Sequence, residues 1–250
     1  MADEVLIEQR GKVLIITLNR PDSMNSINTE LCQGLLAATA RLDSEASLTA
    51  GVLHGVGRGF SAGMDLKAYS RVGMPRGLIR FVKQGSAKPL VAAIEGFALA
   101  GGLEFALTCD LIVAARGSKL GIPETSKGLV AAAGGMMRLL RRLPYGVAME
   151  MALTGDPISA EQAFDHGLVA RLADPGCALD EALALAERIA RNAPLAVSAS
   201  KQVLRYAQGL TEAEFWVMQK ELSAPVFDSA DAKEGARAFA EKSSPVWTGR

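Results

Sequence analysis

The sequence predicts an α/β core followed by a helical tail. Three observations lead there. Apolar runs of strand length alternate with helical patterns through the first part of the chain. One of those runs, KPLVAAIEG, is almost wholly apolar, as a strand buried on both faces would be. From about residue 133 helical segments dominate, and the longest lie at the end.

The elements can be justified in order. VLIEQ and VLIITLNRP flank Arg10–Gly11–Lys12, a hairpin signal. Asn28 can cap a helix reaching about Asp43, with Leu31, Leu35 and Leu42 at helical spacing. TAGVLHG reads as a strand and GVGRGFSAGMD as a glycine-rich loop. Helix-like sequence then runs to about Gln84. After KPLVAAIEG, GGLEFALT reads as a helix, CDLIVAAR as a strand and KLGIPE as a short strand and turn. MMRLLRRL, YGVAMEMAL and SAEQAFDHG are short helical segments, each closed by Gly or Pro. Asp180–Arg191, Pro194–Gln208 and Glu212–Phe227 are longer helices. The chain thus divides into a core, residues 1–190, and a C-terminal helical region, residues 191–250. That region is expected to pack on the core or on a partner subunit. No repeat, low-complexity tract or linker interrupts it.

Composition narrows the function. Charges balance at 27 basic and 27 acidic residues, so the basic face of a nucleic-acid binder is not expected. Three widely spaced cysteines and two histidines suggest neither a disulfide framework nor a metal site. The start, MADEVLIEQRGK, is acidic and lacks a signal core. Charges interrupt every apolar stretch before the ~20 residues of a membrane span. The expectation is a reduced, cytoplasmic protein with no membrane association.

The glycine-rich loops admit three readings. GVGRG follows a strand but lacks full GxGxxG spacing and an acid on a second strand, which argues against a dinucleotide site. GFSAG matches a nucleophile elbow at Ser61, with Asp156 and His166 downstream. Yet His166 sits in DHGLV, an ordinary helix end, and Ser61 reads equally as a small residue in a tight turn. The third reading joins both loops. A turn at AGMD and a helix start at AGGLE can each aim a backbone N–H into one pocket, making an oxyanion hole. Glu104 lies one helical turn beyond Gly101, among Leu, Phe and Ala, where a carboxylate is costly unless paired or working. Glu124, in GIPETS, supplies a second carboxylate for an acid/base pair. The plainer alternatives are that Glu104 caps its own helix and that Glu124 lies in a helix start capped by Thr125 or Ser126.

These residues resemble the crotonase superfamily, the enoyl-CoA hydratase/isomerase family. The resemblance runs in order through LNRPDSMNSI, GRGFSAGMDL, AAIEGFALAGGLEFALTCDLIVA, GIPETSKGLVAAAGGMMRL, LTGDPISAEQAFDHGLV and DAKEGARAFAEKSSPVW. It implies a spiral of ββα units with C-terminal helices that form homotrimers, often dimers of trimers. It implies an oxyanion hole at the N–H groups of Met64 and Gly101, with Glu104 and Glu124 as the catalytic acid/base pair. Coenzyme A would run beside Ala62, Gly63, Asp65, Leu66 and Lys67, and Phe239 and Lys242 would reach a neighbouring subunit's CoA.

The reaction implied is addition of water across C2=C3 of a 2-enoyl-CoA, in fatty-acid metabolism of the β-oxidation kind. Glu104 would activate the water and Glu124 deliver a proton to C2. The substrate carries the coenzyme A, so no separate cofactor and no metal are implied. A Δ3/Δ2-enoyl-CoA isomerase and a non-catalytic acyl-CoA-binding member remain as alternatives on the same scaffold.

The chain departs from the family pattern in places. AAAGGMMR (Ala131–Arg138) stands where hydratases often carry Pro-Gly-Ala-Gly-Gly-Thr-Gln-Arg, so Met136 and Met137 suggest a different acyl pocket. Asp22 stands where many members are basic, leaving Arg20, Lys67 or Lys242 to meet CoA phosphates. Arg141–Arg142 reads as a solvated helix face.

Overall fold

Alternating side chains on buried strands build this fold. The computed structural model describes residues 3–250. Strands β1 (Val5–Arg10) and β2 (Val13–Leu18) form the expected antiparallel hairpin, and Gly11 takes φ 57° at its turn. Helix α1 (Thr29–Ser44) follows, its first turn closed by the Asn28 side chain accepting from the Leu31 N–H at 2.9 Å. Strand β3 (Ala50–Gly55) then pairs with β2 in parallel.

The helical stretch up to Gln84 is two short helices, α2 (Leu66–Val72) and α3 (Leu78–Gln84). Gly73 at φ 77°, Pro75 and Gly77 at φ 90° break the helix between them. Next come β4 (Leu90–Ile94), β5 (Phe97–Leu99), α4 (Gly101–Thr108), β6 (Leu111–Ala115) and β7 (Lys119–Gly121). A 3-10 turn at Pro123–Lys127 leads to α5 (Gly135–Arg142), α6 (Tyr145–Thr154), β8 (Ile158–Ser159), α7 (Ala160–Asp165) and β9 (Arg171–Ala173). The chain closes with α8 (Ala178–Ala190), α9 (Pro194–Tyr206), α10 (Glu212–Phe227) and α11 (Ala230–Glu241).

The main sheet has the order β1-β2-β3-β4-β6-β9, parallel throughout except for the first hairpin. A second, three-stranded sheet has the order β5-β7-β8. In β4 the side chains of Val91 and Ala93 join Ala182, Ala186 and Ala190 of α8 on one face. Ala92 and Ile94 join Leu35, Leu103 and Phe105 on the other. A strand covered on both faces has no polar side, which is why KPLVAAIEG reads as one apolar run. On the second face α3 meets α4 through Phe81 and Phe105, edge to face at 4.9 Å.

Arg142 corrects the expectation of a solvated face. Its Nη2 donates to the Leu107 and Cys109 carbonyls, at 3.2 and 3.1 Å, at the end of α4. Carbonyls at a helix end lack intrahelical partners and attract a cation. Lys201 ties α9 to the core in a similar way, with Nζ 2.7 Å from Asp110 and donating to the Ser86 and Lys88 carbonyls. After α11 the last residues fold back, with Asp231 accepting from the Thr248 and Gly249 N–H groups at 2.7 and 2.9 Å.

Candidate active site

The loop after β3 runs alongside β5. Phe60 N–H donates to the Phe97 carbonyl at 2.9 Å and Leu99 N–H to the Ser61 carbonyl at 3.0 Å. Ser61 and Ala98 form an isolated parallel bridge. Because both segments run the same way, the residues three places beyond that bridge, Met64 and Gly101, come side by side. A Cβ placed on Gly101 would lie 3.7 Å from the Met64 nitrogen. Among the described residues, neither Met64 N–H nor Gly101 N–H donates to a protein acceptor. Two free N–H groups, one at a helix N-terminus, can receive developing negative charge on an oxygen.

Backbone geometry enforces this approach. Gly63 has φ 93°, and a Cβ there would lie 2.6 Å from the Ala100 Cβ. Ala100 itself has φ 51°, rare for a side-chain-bearing residue. Such strain costs roughly 1–3 kcal/mol and persists only where neighbours impose it. Here Ala100 N–H donates to the Gly121 carbonyl at 2.9 Å, and its own carbonyl accepts from Glu104 N–H at 3.1 Å. The kink turns β5 directly into α4.

Glu104 is 3% exposed. Its Oε1 accepts from Ala133 N–H at 2.7 Å and Gly135 N–H at 2.9 Å, both from another segment, so it does not cap its own helix. A Cβ on Gly135 would lie 2.8 Å from the Glu104 Cγ, so only glycine lets that backbone approach. Burial pushes the carboxyl above its ordinary pKa, while the two N–H groups and the Arg138 charge pull it back.

Glu124 sits half-buried in the 3-10 turn. Neither Thr125 nor Ser126 caps there, and the Ser126 hydroxyl instead donates to the Pro123 carbonyl at 2.7 Å. The Glu124 Oε2 is buried without a hydrogen-bond partner among the described residues. Burial raises its pKa to about 7, and the neighbouring Glu104 charge adds to the rise. The two carboxyls differ in environment: burial raises both, but Glu104 accepts two backbone N–H groups, while the Oε2 of Glu124, whose pKa is raised to about 7, has no partner among the described residues.

The Ser61 reading does not survive. Ser61 is fully buried, with Oγ donating to the Asn25 carbonyl at 2.8 Å and accepting from Gly63 N–H at 3.2 Å. His166 ends α7 beside Gly167 at φ 80°. The GVGRG loop packs against Glu95–Phe97 instead of opening onto a helix start.

The other residues singled out by sequence fall in two places. Ala62, Gly63, Asp65, Leu66 and Lys67 continue the loop into α2, and Asp65 caps α2 by accepting from Ala68 N–H at 3.0 Å. Leu66 and Lys67 are exposed. Arg20 is committed to Glu4 at 3.2 Å and Asp65 at 3.1 Å, which leaves Lys67 and Lys242 as the freer of the three expected cations. Phe239 and Lys242 lie on and after α11, with Phe239 88% exposed.

Sequence reading does not single out Asn25. It is fully buried at φ 52°, and its Nδ2 donates to the Val56 and Gly59 carbonyls at 2.9 and 3.0 Å, holding the glycine-rich loop. The only local signal is an Asn two residues after Ser in PDSMN, a residue type that tolerates left-handed backbone.

Comparisons with known proteins identify the family. The fold is that of the crotonases. The enoyl-CoA hydratase from Mycobacterium tuberculosis H37Rv superposes with a TM-score of 0.95 at 51% identity, covering 99% of this chain and 100% of that one. A model of the enoyl-CoA hydratase/isomerase family matches residues 8–250, and the chain belongs to that family. Among curated relatives, enoyl-CoA hydratase EchA19 of Mycobacterium tuberculosis is 38% identical over 99% of this chain and 97% of its own length. The 2,3-dehydroadipyl-CoA hydratase of Escherichia coli is 34% identical over 99% of both.

Proposed function

We propose that the protein is an enoyl-CoA hydratase that adds water across C2=C3 of a 2-enoyl-CoA to give a 3-hydroxyacyl-CoA. The observation that carries this reading is a buried Glu104 on the helix that Gly101 opens, close enough to Glu124 for their charges to interact, with the Met64 and Gly101 N–H groups free among the described residues. Relatives named as hydratases support it. The thioester oxygen accepts from both N–H groups, which makes C3 electrophilic. Glu104, ionised, takes a proton from water as its oxygen bonds to C3. Glu124, protonated, delivers its proton to C2, and the enolate charge is held at the two N–H groups meanwhile. A proton returning from Glu104 to Glu124 resets the pair. An oxyanion donor contributes typically ~10²–10³ in rate, and acid–base transfer ~10²–10⁴.

In this reading coenzyme A lies along Ala62, Gly63, Asp65, Leu66 and Lys67, with Phe239 and Lys242 supplied to a neighbouring subunit. No separate cofactor takes part. The chain is read as a core, residues 1–190, with a helical region, residues 191–250, that builds a homotrimer or a dimer of trimers. Apolar side chains left exposed on α9–α11, among them Leu204, Trp216 and Phe227, support that assembly. Among the described residues no helix is long and apolar enough to cross a membrane. The setting we assign is cytoplasmic, in fatty-acid breakdown of the β-oxidation kind.

The test is loss of the conjugated-thioester absorbance when the protein meets crotonyl-CoA. Fast loss that disappears in Glu104→Gln is the expected result. Rearrangement of a 3-enoyl-CoA faster than hydration would assign the site to isomerisation instead. Tight acyl-CoA binding with no turnover of short, long or aromatic enoyl-CoAs would leave a binding protein.

A further inference from the structure

We propose that Arg138 is a positioning residue that couples the C-terminal end of α3 to the ionisation of Glu104. Arg138 Nη1 donates to the Ala133 carbonyl at 3.2 Å, and Nη2 to the Val82 carbonyl. Ala133 is the residue whose own N–H donates to Glu104 at 2.7 Å. One planar guanidinium thus spans the loop that holds Glu104 and the last turn of α3. A planar fork presents separate nitrogens to the two segments in one fixed geometry, which the single nitrogen of a lysine does not reproduce. The side chain folds back across Gly134, where an added Cβ would lie 2.5 Å from Nη1. Gly134 also holds φ 89°, which favours glycine, while Gly135 leaves room for the Glu104 side chain.

The charge setting supports the assignment. Arg138 has no carboxylate within ion-pair distance among the described residues, and Glu104 is the anion that acts on it. Glu104 is faced by Arg138 from α5 and by Glu124 from the 3-10 turn. Arg142, also on α5, is engaged with the end of α4, and β5 and β6 carry no titratable side chain. Arg80 and Lys83 of α3 are exposed. Arg141, Arg142 and Arg205 press on Arg138 as like charges. Arg205 also donates to the Lys83 and Gln84 carbonyls at 3.0 and 3.3 Å, so two arginines hold the same helix end. Movement of α3 would pull on Arg138, loosen the Ala133–Gly135 turn and withdraw donors from the Glu104 anion.

The kinetic arm of the test rests on the hydratase reading. Arg138→Met should lower kcat by roughly 10- to 100-fold with KM within about twofold. The acid limb of the pH–rate profile should move up by about one pH unit, since Glu104 loses a nearby cation and ordered donors. Arg138→Lys should restore the limb, because the charge returns, while recovering only part of kcat. The second arm needs no turnover. Infrared spectra would follow the protonated carboxyl band of Glu104, assigned by its loss in Glu104→Gln, in folded wild type and in Arg138→Met. If the wild type hydrates no enoyl-CoA, the hydratase reading fails and this band alone decides. Appearance of the band at higher pH in Arg138→Met supports the proposal. A band and an acid limb that stay in place overturn it, even if kcat falls, because a purely structural loss would leave Glu104 titrating as before.

Discussion

Glu124→Gln should make the protein more stable at alkaline pH while stopping turnover. The folded protein holds this carboxyl's pKa at about 7, against an ordinary 4.5. Between those values the folded state keeps a proton that the unfolded chain releases. Stability from this group is therefore complete below about pH 4.5 and is lost as pH rises through about 7. At about 1.4 kcal/mol per pH unit, a rise from 4.5 to about 7 sets a ceiling of roughly 3.5 kcal/mol. Glu124 is only half-buried, so solvent screens the effect, and about 1.5 kcal/mol is the figure to expect. For a chain of this size that corresponds to about 3–6 °C in thermal midpoint. Calorimetry of wild type and variant at about pH 8.5 and about pH 5, at matched protein concentration, reads it directly. The variant should melt higher at the alkaline pH, and the gap should largely close at the acid one. An equal offset at both would mean that packing, not ionisation, separates the two proteins. A lower midpoint at alkaline pH would refute the argument that Glu124 is held there against its charge.

Other substitutions probe the rest of the site. Gly63→Ala puts a methyl 2.6 Å from the Ala100 Cβ at a φ of 93°, so it should spread Met64 from Gly101 and cut kcat by ~10²–10³; steady-state hydration kinetics on folded variant check it. Ser61→Ala should leave turnover within a few-fold and cost about 1 kcal/mol in urea unfolding, since it removes buried hydrogen bonds only. Loss of activity there, or labelling of Ser61 by a fluorophosphonate, would revive the reading of Ser61 as a nucleophile. Lys201→Met should lower unfolding free energy by about 2 kcal/mol, because two carbonyls lose their donor and Asp110 keeps only the Leu90 N–H; denaturant titration reads the loss.

Much of the fold is legible because local chemistry and tertiary setting agree. Asn28 caps α1, and the GGLEFALT stretch is α4 to the residue, because a glycine pair opens it and no Pro or β-branched run interrupts it before Thr108. The hydrophobic alternation of β4 is hidden in sequence by burial on both faces, yet the run still announces a strand. Strands β5, β8 and β9 carry no such signal. Each spans three residues or fewer, too short for a period of two to show, and each exists because a partner strand is already in place. Arg142 misleads for a related reason: Arg141 and Arg142 look alike in sequence, but only one of them meets the open carbonyls of α4.

The candidate site follows the same division. Residue types that carry chemistry are readable, since a glutamate among Leu and Phe is conspicuous wherever it lies. What brings Met64 to Gly101 is the register of Ser61 against Ala98. That register is a long-range property of the short strand β5, itself absent from any local pattern. A slip of one residue there would place Gly63 or Asp65 beside Gly101 and present a different N–H to the pocket. Asn25 resists the slip by binding Val56 and Gly59 at once, and Asp65 resists it through its N–H to the Ile27 carbonyl at 3.0 Å. The loop is therefore held from both sides, while the strain at Ala100 is sustained by its own bonds to Gly121 and Glu104. Placement of the two N–H groups is thus a property of the whole sheet edge, while the identity of the two carboxylates is a property of single residues.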